Sequence, residues 1–360
     1  MSCRRIRDYG IKIGSFPVGD RNSIGDIPGV AVGHCTIDTA SHKTGVTVIL
    51  PRKENIFSGK LIAASDVLNG FGKTAGTIQI NELGTLESPI ALTNTLNVGL
   101  VHDALVGYMA DRCREEGIPL FSFNPVVGEC NDCHLNDIKE RAVDASHVLS
   151  AIHSASADFE QGDVGAGKGT ICYGLKGGIG SASRKMEIGG KTYHIGVLVQ
   201  SNFGKMEDLT IQGMEMGRTI RKWQDEEKKA CPKADDEGSI MSIIATDLPL
   251  SSRQIRRILK RAAIGLGRTG SHVGHGSGDV MIGFSTANII SSTSDESFSS
   301  LQILNESLMD IPFRAVIEAE EEAVLNSLAA ADSVTGYTGE TCHALDPYLK
   351  RFLTLYRTEK

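Results

Sequence analysis

The chain is poor in aromatic side chains and has no excess of basic ones. Aromatic residues make up 5% of its 360 residues, with a single Trp, and 37 Lys and Arg stand against 44 Asp and Glu. Proteins that bind nucleic acid usually present clustered positive charge, and here no run of basic residues is longer than a few. The sequence therefore predicts no nucleic-acid partner.

Long hydrophobic stretches are also missing, since none approaches the roughly 20 apolar residues of a membrane-spanning helix. Residues 1–7 include three arginines but are followed by Asp8-Tyr9-Gly10 instead of an apolar segment, so no signal peptide is visible. The eight Cys are mostly scattered along the chain. Together these features predict free thiols, a cytoplasmic location and no membrane association.

Glycine is abundant, with 40 residues, and 41% of the chain is hydrophobic, which predicts a large core with many tight turns. Short β-branched runs alternate with helical patterns. The predicted strands are 30–32, 46–50, 121–127, 170–175, 194–200, 240–246 and 280–285, and the predicted helices are 98–116, 141–154, 252–266 and 313–331. This alternation indicates a layered α/β protein. With no internal repeat and only 224–238 resembling a linker, it favours one interwoven domain over residues 1–360.

The junction of Gly238 and Ser239 separates the polar segment 224–238 from the apolar run 240–246. One interpretation is a simple boundary between a loop and a strand. The other is chemical: if the bond breaks, Ser239 becomes an N-terminus with a hydroxyl nucleophile and an α-amine. The reference pKa of that amine is about 7.7 to 8.0, so it can accept the hydroxyl proton near neutral pH. One cut would therefore create an active site.

Two motifs resemble nucleotide-binding sites, but their context differs. Residues 162–169 nearly form a phosphate-binding loop, yet Gly169 stands where Ser or Thr should hold magnesium and a strand follows instead of a helix. Residues 178–183 lack the third glycine of a dinucleotide site and are interpreted as a turn. The sequence thus predicts no organic cofactor.

Cys130 and Cys133, followed by His134, have the spacing of a covalent haem site, but such a protein would need export. No second Cys pair completes a tetrahedral zinc site. We therefore predict no metal and interpret both cysteines as free thiols in a loop after the strand at 121–127. A metal held by distant histidines (His34, His272, His275) stays an alternative.

A glycine-dense segment, residues 272–279, ends on a predicted strand. It is either a flexible turn or a loop that delivers Ser277 and Asp279 to a site. Residues two apart on an extended chain point the same way, so these two side chains can share one hydrogen-bond network.

Eight segments carry a resemblance to a known family: residues 22–34, 44–51, 92–95, 124–129, 176–180, 197–204, 238–247 and 276–288. In the same order, they resemble the self-processing aminopeptidases, a family that comprises L-aminopeptidase/D-amidase-esterases and β-peptidyl aminopeptidases. The resemblance implies a layered αββα sandwich of the aminopeptidase and ornithine acetyltransferase type. It also implies a precursor that cleaves itself before a serine, giving chains 1–238 and 239–360, and a homotetramer of these processed units.

The same resemblance implies roles for individual residues. Ser239 is the expected nucleophile and its freed amine the expected base, with Ser277 and Asp279 as the supporting network. Asn202 is the expected oxyanion-hole donor, because an uncharged amide can stabilise the oxyanion without titrating. Some members carry Glu at the Asp279 position.

Glu129 matches the carboxylate with which the family receives the free ammonium of its substrate. Certain members have a tyrosine in the loop beyond it, where Cys130 and Asn131 stand here, so Asn131 is an expected substitute donor. The predicted substrate is a small peptide, aminoacyl amide or ester with a free N-terminus.

Two alternatives stay open. The first is acyl transfer to an amine, as in the related acetyltransferases, although those use threonine where this chain has Ser239. The second is a binding protein that has the fold but never processes itself.

Overall fold

The computed structural model describes residues 4–227, 229, 238–292 and 297–358. Its strands are β1 Ala31–Asp38, β2 Lys43–Leu50, β3 Gly59–Gly70, β4 Thr85–Leu86, β5 Ile90–Asn94, β6 Val126–Cys130, β7 Ile171–Cys172, β8 Leu175–Lys176, β9 Ile179–Ile188, β10 Lys191–Asn202, β11 Ser239–Thr246, β12 Gly278–Ser291, β13 Val334–Thr335 and β14 Thr341–Cys342. Its helices are α1 Thr77–Leu83, α2 Val98–Glu115, α3 Ala145–His153, α4 Met216–Glu226, α5 Ser252–Arg268, α6 Asp310–Ala330 and α7 Asp346–Thr358.

Two large sheets pack face to face between two helical layers. The smaller sheet has the order β1-β2-β5-β6 and the larger one the order β4-β3-β12-β11-β10-β9. A shared core cluster between them includes Leu92 of the smaller sheet and Ile282 of the larger one. Helices α5 and α6 pack on the outer face of the larger sheet, and α2 and α3 on that of the smaller sheet. The predicted αββα sandwich is confirmed.

Strand β11 lies at the centre of the larger sheet and is predicted correctly to within one residue. It runs antiparallel to β10 and parallel to β12, which places Ser239 opposite Asn202 on one side and Gly278 on the other. Side chains alternate across a strand. Met241 packs between the sheets and Ile240 against the helices, so the side chain of Ser239 faces the smaller sheet.

Capping residues explain where helices start. The side chain of Ser251 accepts the N–H of Gln254, and α5 begins at the predicted position 252. The helix predicted from 141 instead begins at Ala145, because the Asp144 carboxylate accepts the first backbone N–H groups of α3.

The strand predictions at 30–32, 46–50, 194–200 and 280–285 fall on longer strands, whereas those at 121–127 and 170–175 are partly wrong. The run at 121–127 forms a strand only from Val126 onward, and the side chain of Phe121 is 96% exposed. Strand β6 continues to Cys130, which is therefore a buried strand residue instead of a loop residue. The run at 170–175 folds as two short strands, because Tyr173 and Gly174 take left-handed backbone conformations and reverse the chain.

The turn predicted at 178–183 is wrong as well, since β9 begins at Ile179. Its small residues serve close packing instead: a Cβ on Gly180 would lie 2.0 Å from the carbonyl oxygen of Ala323 in α6. The predicted linker at 224–238 is wrong at its start, because Gln224 belongs to α4. Residues 228 and 230–237 of that segment lie outside the described residues.

Among the described residues, no helix combines the length and the apolar character that a membrane span requires. The six cysteines of this part of the chain form no disulfide with one another.

Glu320 of α6 gives a prediction about stability. Its carboxyl is fully buried, and the hydroxyl of Ser242 donates to Oε1 at 2.6 Å, whereas Oε2 has no hydrogen-bond partner among the described residues. Burial raises the pKa of Glu320 from 4.5 to about 8. The folded state thus binds the proton more tightly than the unfolded state between these pH values, so the free energy of unfolding falls as pH rises through that window.

Glu320→Gln is therefore expected to stabilise the protein above pH 8, by on the order of 5 kcal/mol, with the difference vanishing near pH 4.5. Thermal unfolding of both proteins from pH 4.5 to 9 measures it. Glu82→Gln, an exposed change on α1, is the control and should follow the natural protein at every pH. A pH-independent difference for Glu320→Gln would contradict the prediction.

Candidate active site

A cavity of about 150 Å³ opens where β10 ends and β11 begins. Four of the predicted site residues line it, namely Asn202, Ser239, Glu129 and Asn131, together with Gly238. The remaining lining residues are Phe71, Lys73, Thr95, Cys133, His134 and Gly276. The two sheets thus bring a hydroxyl, two amides and a carboxylate to one cavity.

Ser239 is the first residue of β11 and is 5% exposed. Its Oγ has no hydrogen-bond partner among the described residues. The preceding carbonyl oxygen, that of Gly238, accepts the backbone N–H of Gly278 at 3.0 Å. A donor is therefore already in place on the carbonyl that precedes the serine.

Asn202 is the last residue of β10, directly opposite Ser239. Its Oδ1 accepts the backbone N–H of Ile171 at 2.9 Å. Because an N–H can donate only to the amide oxygen, this bond fixes which way the amide points. The Nδ2 group is left as a donor at the cavity.

Glu129 of β6 is 3% exposed, and its carboxylate is held by two uncharged donors. The backbone N–H of Lys73 donates to Oε1 at 3.0 Å, and the hydroxyl of Thr95 donates to Oε2. Neither donor neutralises the charge. The carboxylate is thus oriented while remaining able to bind a cation in the cavity.

Asn131 is the residue after Cys130 and lies on the wall of the cavity. Its Oδ1 accepts the backbone N–H of Cys133 at 2.9 Å, so its Nδ2 is the donor that remains.

The predicted network of Ser277 and Asp279 is present, since the hydroxyl of Ser277 donates to Asp279 Oδ1 at 2.8 Å and both residues are buried. Asp279 lies beside Ile240, whose side chain packs against the helices. Ser277 lines a small adjoining cavity that also touches Gly238. The pair therefore lies beside the Gly238–Ser239 backbone, on the strand face opposite to the Ser239 side chain.

Sequence reasoning missed several cavity residues. Thr95 belongs to one of the segments that carry the resemblance, so its proximity to Glu129 could have been suspected. Phe71 and Lys73 follow β3, a strand that the β-branched pattern did not predict, and no local signal marks them. Cys133 and His134 were considered as haem or metal ligands, and Cys133 was interpreted as a free thiol in a loop, whereas the structure places both residues on the cavity wall.

The thiol of Cys130 donates to the carbonyl oxygen of Gln200 at 3.3 Å. Burial raises the pKa of this thiol well above its ordinary value, and the Ser239 hydroxyl is among the groups that act on it. The thiol is therefore protonated at neutral pH.

The motif at 162–169 is engaged elsewhere. The ammonium of Lys168 pairs with Asp38 at 2.8 Å and with Asp163 at 2.9 Å, instead of facing an open phosphate site. Within the described ranges no group of three or more His, Cys, Asp or Glu side chains is placed to hold a metal ion.

The model of peptidase family S58 matches residues 22–342. The chain belongs to peptidase family S58. It is 37% identical over 373 residues to the β-peptidyl aminopeptidase BapA of Sphingosinicella microcystinivorans, covering 98% of this chain and 92% of the relative. The predicted family and the predicted hydrolysis of peptide bonds are confirmed.

Two similar solved structures agree with the fold. A β-aminopeptidase of Burkholderia sp. is 37% identical with a TM-score of 0.87, covering 97% of this chain and 98% of that one. The L-aminopeptidase D-Ala-esterase/amidase of Ochrobactrum anthropi is 34% identical with a TM-score of 0.90, covering 99% of both chains. That enzyme is described as a prototype of the serine aminopeptidases and a variant of the Ntn hydrolase fold. The chain is accordingly an aminopeptidase.

Proposed function

We propose that this S58 peptidase cleaves itself between Gly238 and Ser239 and then uses Ser239 as an N-terminal nucleophile. The mature enzyme removes the N-terminal residue from small peptides, aminoacyl amides or esters. The observation that carries the proposal is the position of Ser239: it begins β11 on the wall of a cavity that also contains the Asn202 amide and the Glu129 carboxylate.

Self-cleavage begins when Ser239 Oγ attacks the carbonyl carbon of Gly238. The N–H of Gly278, which already donates to this carbonyl oxygen, stabilises the negative charge that develops there. The C–N bond breaks, the nitrogen of Ser239 takes the proton that Oγ has lost and becomes a free amine, and an ester joins Gly238 to Ser239 Oγ. Water then hydrolyses the ester, which yields the Gly238 carboxylate and restores the hydroxyl.

In the mature enzyme, the freed amine takes the proton of Ser239 as Oγ attacks the first carbonyl of the substrate. Asn202 Nδ2 stabilises the oxyanion, an effect worth about 3 kcal/mol in other acyl-transfer enzymes. The ammonium formed on Ser239 then protonates the leaving amine, and water releases the amino acid from the acyl-enzyme. The Ser277–Asp279 pair lies beside this backbone nitrogen, where its negative charge favours the ammonium form.

The carboxylate of Glu129 selects substrates with a free N-terminus, because it offers a buried negative charge to the substrate ammonium. Asn131 Nδ2 is a second donor at the same wall. Because similar proteins are β-peptidyl aminopeptidases, peptides with an N-terminal β-amino acid are also candidate substrates. No step of this mechanism requires a metal or an organic cofactor.

A panel of aminoacyl p-nitroanilides with L-, D- and β-residues tests the activity. Release of p-nitroaniline from free-amine substrates, but not from N-acetylated ones, is expected. Repeating the assay on an aminoacyl ester with an added amine distinguishes hydrolysis from acyl transfer, since transfer yields a new amide. A chain that remains a single 360-residue species and hydrolyses none of the panel would be a binding protein instead.

We also propose that residues 1–360 form one interwoven domain and that the processed units assemble as a homotetramer in the cytoplasm. Support comes from the family resemblance, from strands of both halves pairing in the larger sheet, and from the free thiols of the described cysteines. Light scattering should give four times the mass of the 38.5 kDa chain.

Gly238 gives a prediction about processing. A Cβ at this position would lie 2.6 Å from both the carbonyl oxygen of Asn202 and the Cα of Phe203. Gly238→Ala should therefore displace the junction from β10 and slow self-cleavage at least about tenfold. A displacement of reacting groups by about 1 Å can reduce a reaction rate by about 100-fold. Gly107→Ala, where a Cβ would meet no neighbouring atom, is the control. The half-time of precursor conversion by intact mass measures both, and equal half-times would contradict the prediction.

A further inference from the structure

Lys176 of β8 is a fully buried lysine near the active site that the mechanism has not used. Its Nζ donates to three backbone carbonyl oxygens, those of Gly167 at 2.9 Å, Thr170 at 2.8 Å and Gly177 at 2.8 Å. Three acceptors use all three hydrogens of an ammonium, whereas a neutral amine has only two N–H donors. The charged form therefore ties residues 167–177 together. With Gly178, this segment is called loop 167–178 below.

The backbone of this loop holds the end of β10 on both sides of Asn202. Ile171 N–H donates to Asn202 Oδ1 at 2.9 Å, and Tyr173 N–H donates to the carbonyl of Phe203 at 2.7 Å. On the other side, Ser201 N–H donates to the carbonyl of Gly178 at 3.0 Å. The loop thus fixes the Asn202 side chain and both flanking residues.

We propose that Lys176 is a positioning residue for the oxyanion hole: it holds loop 167–178 so that Asn202 presents Nδ2 to the reacting carbonyl. If the loop loosens, the Ile171 contact no longer fixes the amide. A rotated amide would then present its oxygen, which repels an oxyanion. The inference rests on the proposed role of Asn202 and adds the group that orients it.

The surroundings of Lys176 make its charge sensitive to pH. Burial lowers the pKa of Lys176 to about 8, and the nearby Lys168 also acts to lower it. Asp163, Cys172 and Cys342 act in the opposite direction. Loss of the proton would leave one of the three carbonyls without a donor, and an unsatisfied buried acceptor is costly. Loop 167–178 should therefore weaken in alkaline solution.

The test is a double-mutant cycle on the full protein, with turnover normalised to the cleaved fraction measured by intact mass. Asn202→Ala is expected to lower kcat about 100-fold, the usual cost of one oxyanion donor. Lys176→Met should lower kcat at least about tenfold with KM changed less than about twofold, since only the transition state is affected. Lys191→Met, which removes an exposed lysine at the end of β10 far from Asn202, is the control and should keep the natural kcat.

In the Asn202→Ala background, Lys176→Met should cost less than about threefold, because no amide is left to orient. Additive losses would overturn the inference while leaving the proposed function intact. If Asn202→Ala alone leaves kcat unchanged, the oxyanion role of Asn202 fails instead.

If Lys176→Met does not yield folded, cleaved protein, the pH dependence of kcat decides. The natural protein should lose turnover above about pH 8, in addition to any change caused by the amine of Ser239. Asn202→Ala should lack this loss. The same alkaline loss in both proteins, or no loss in either, would overturn the inference.

Discussion

Ser239→Ala is expected to leave a single uncleaved chain with no detectable aminopeptidase activity. Methyl replaces the only hydroxyl at the start of β11, so neither attack on the Gly238 carbonyl nor attack on a substrate can begin. Loss of both reactions through one atom distinguishes a self-processing nucleophile from an ordinary catalytic serine, whose removal would leave the polypeptide unchanged.

Intact mass and p-nitroanilide turnover measure the two losses on the same sample. Ser307→Ala, an exposed serine before α6, is the matched control and should cleave and turn over like the natural protein. If the purified Ser239→Ala protein consists of two chains, another group performs the cleavage and the self-processing mechanism is wrong.

Glu129→Gln is expected to lower kcat/KM for free-amine substrates by about 10³-fold while leaving self-cleavage unaffected. Removing one charge of a desolvated, hydrogen-bonded ion pair typically costs 2 to 5 kcal/mol. The precursor junction presents no ammonium, so the processing step does not need this carboxylate. The loss should appear mainly in KM, because the ammonium is bound in the ground state as well.

The informative comparison is between a free aminoacyl anilide and its N-acetyl derivative. The natural enzyme should discriminate strongly between them, and Glu129→Gln should lose that discrimination. Glu340→Gln, an exposed change, is the control. A variant that still prefers the free amine would place the ammonium site elsewhere.

Local patterns were sufficient for some parts of the site. The change from polar residues to a β-branched run placed Ser239 at the start of a strand, and period-two spacing predicted the hydrogen bond between Ser277 and Asp279. Which strand face this pair occupies could not be predicted. It depends on the parallel register of β11 and β12, a pairing between residues that are 39 positions apart, as in Ser239 and Gly278.

Other parts have no local signal. Strand β3 mixes small, polar and apolar residues, so its pattern was missed and with it the loop that carries Phe71 and Lys73 to the cavity. The start of strand β9 was interpreted as a turn because it is rich in small residues. These residues are small because α6 packs closely against them, and not because the backbone turns there. From its residue type alone, Lys176 would be predicted to lie at the surface. Its burial becomes understandable only when the three carbonyls around it are known.

The most direct test of the central claim is N-terminal sequencing of purified, active protein. The account predicts a second sequence, beginning Ser-Ile-Met, in equal amount to that of the original N-terminus. A fully active sample that yields only the original N-terminus would contradict it.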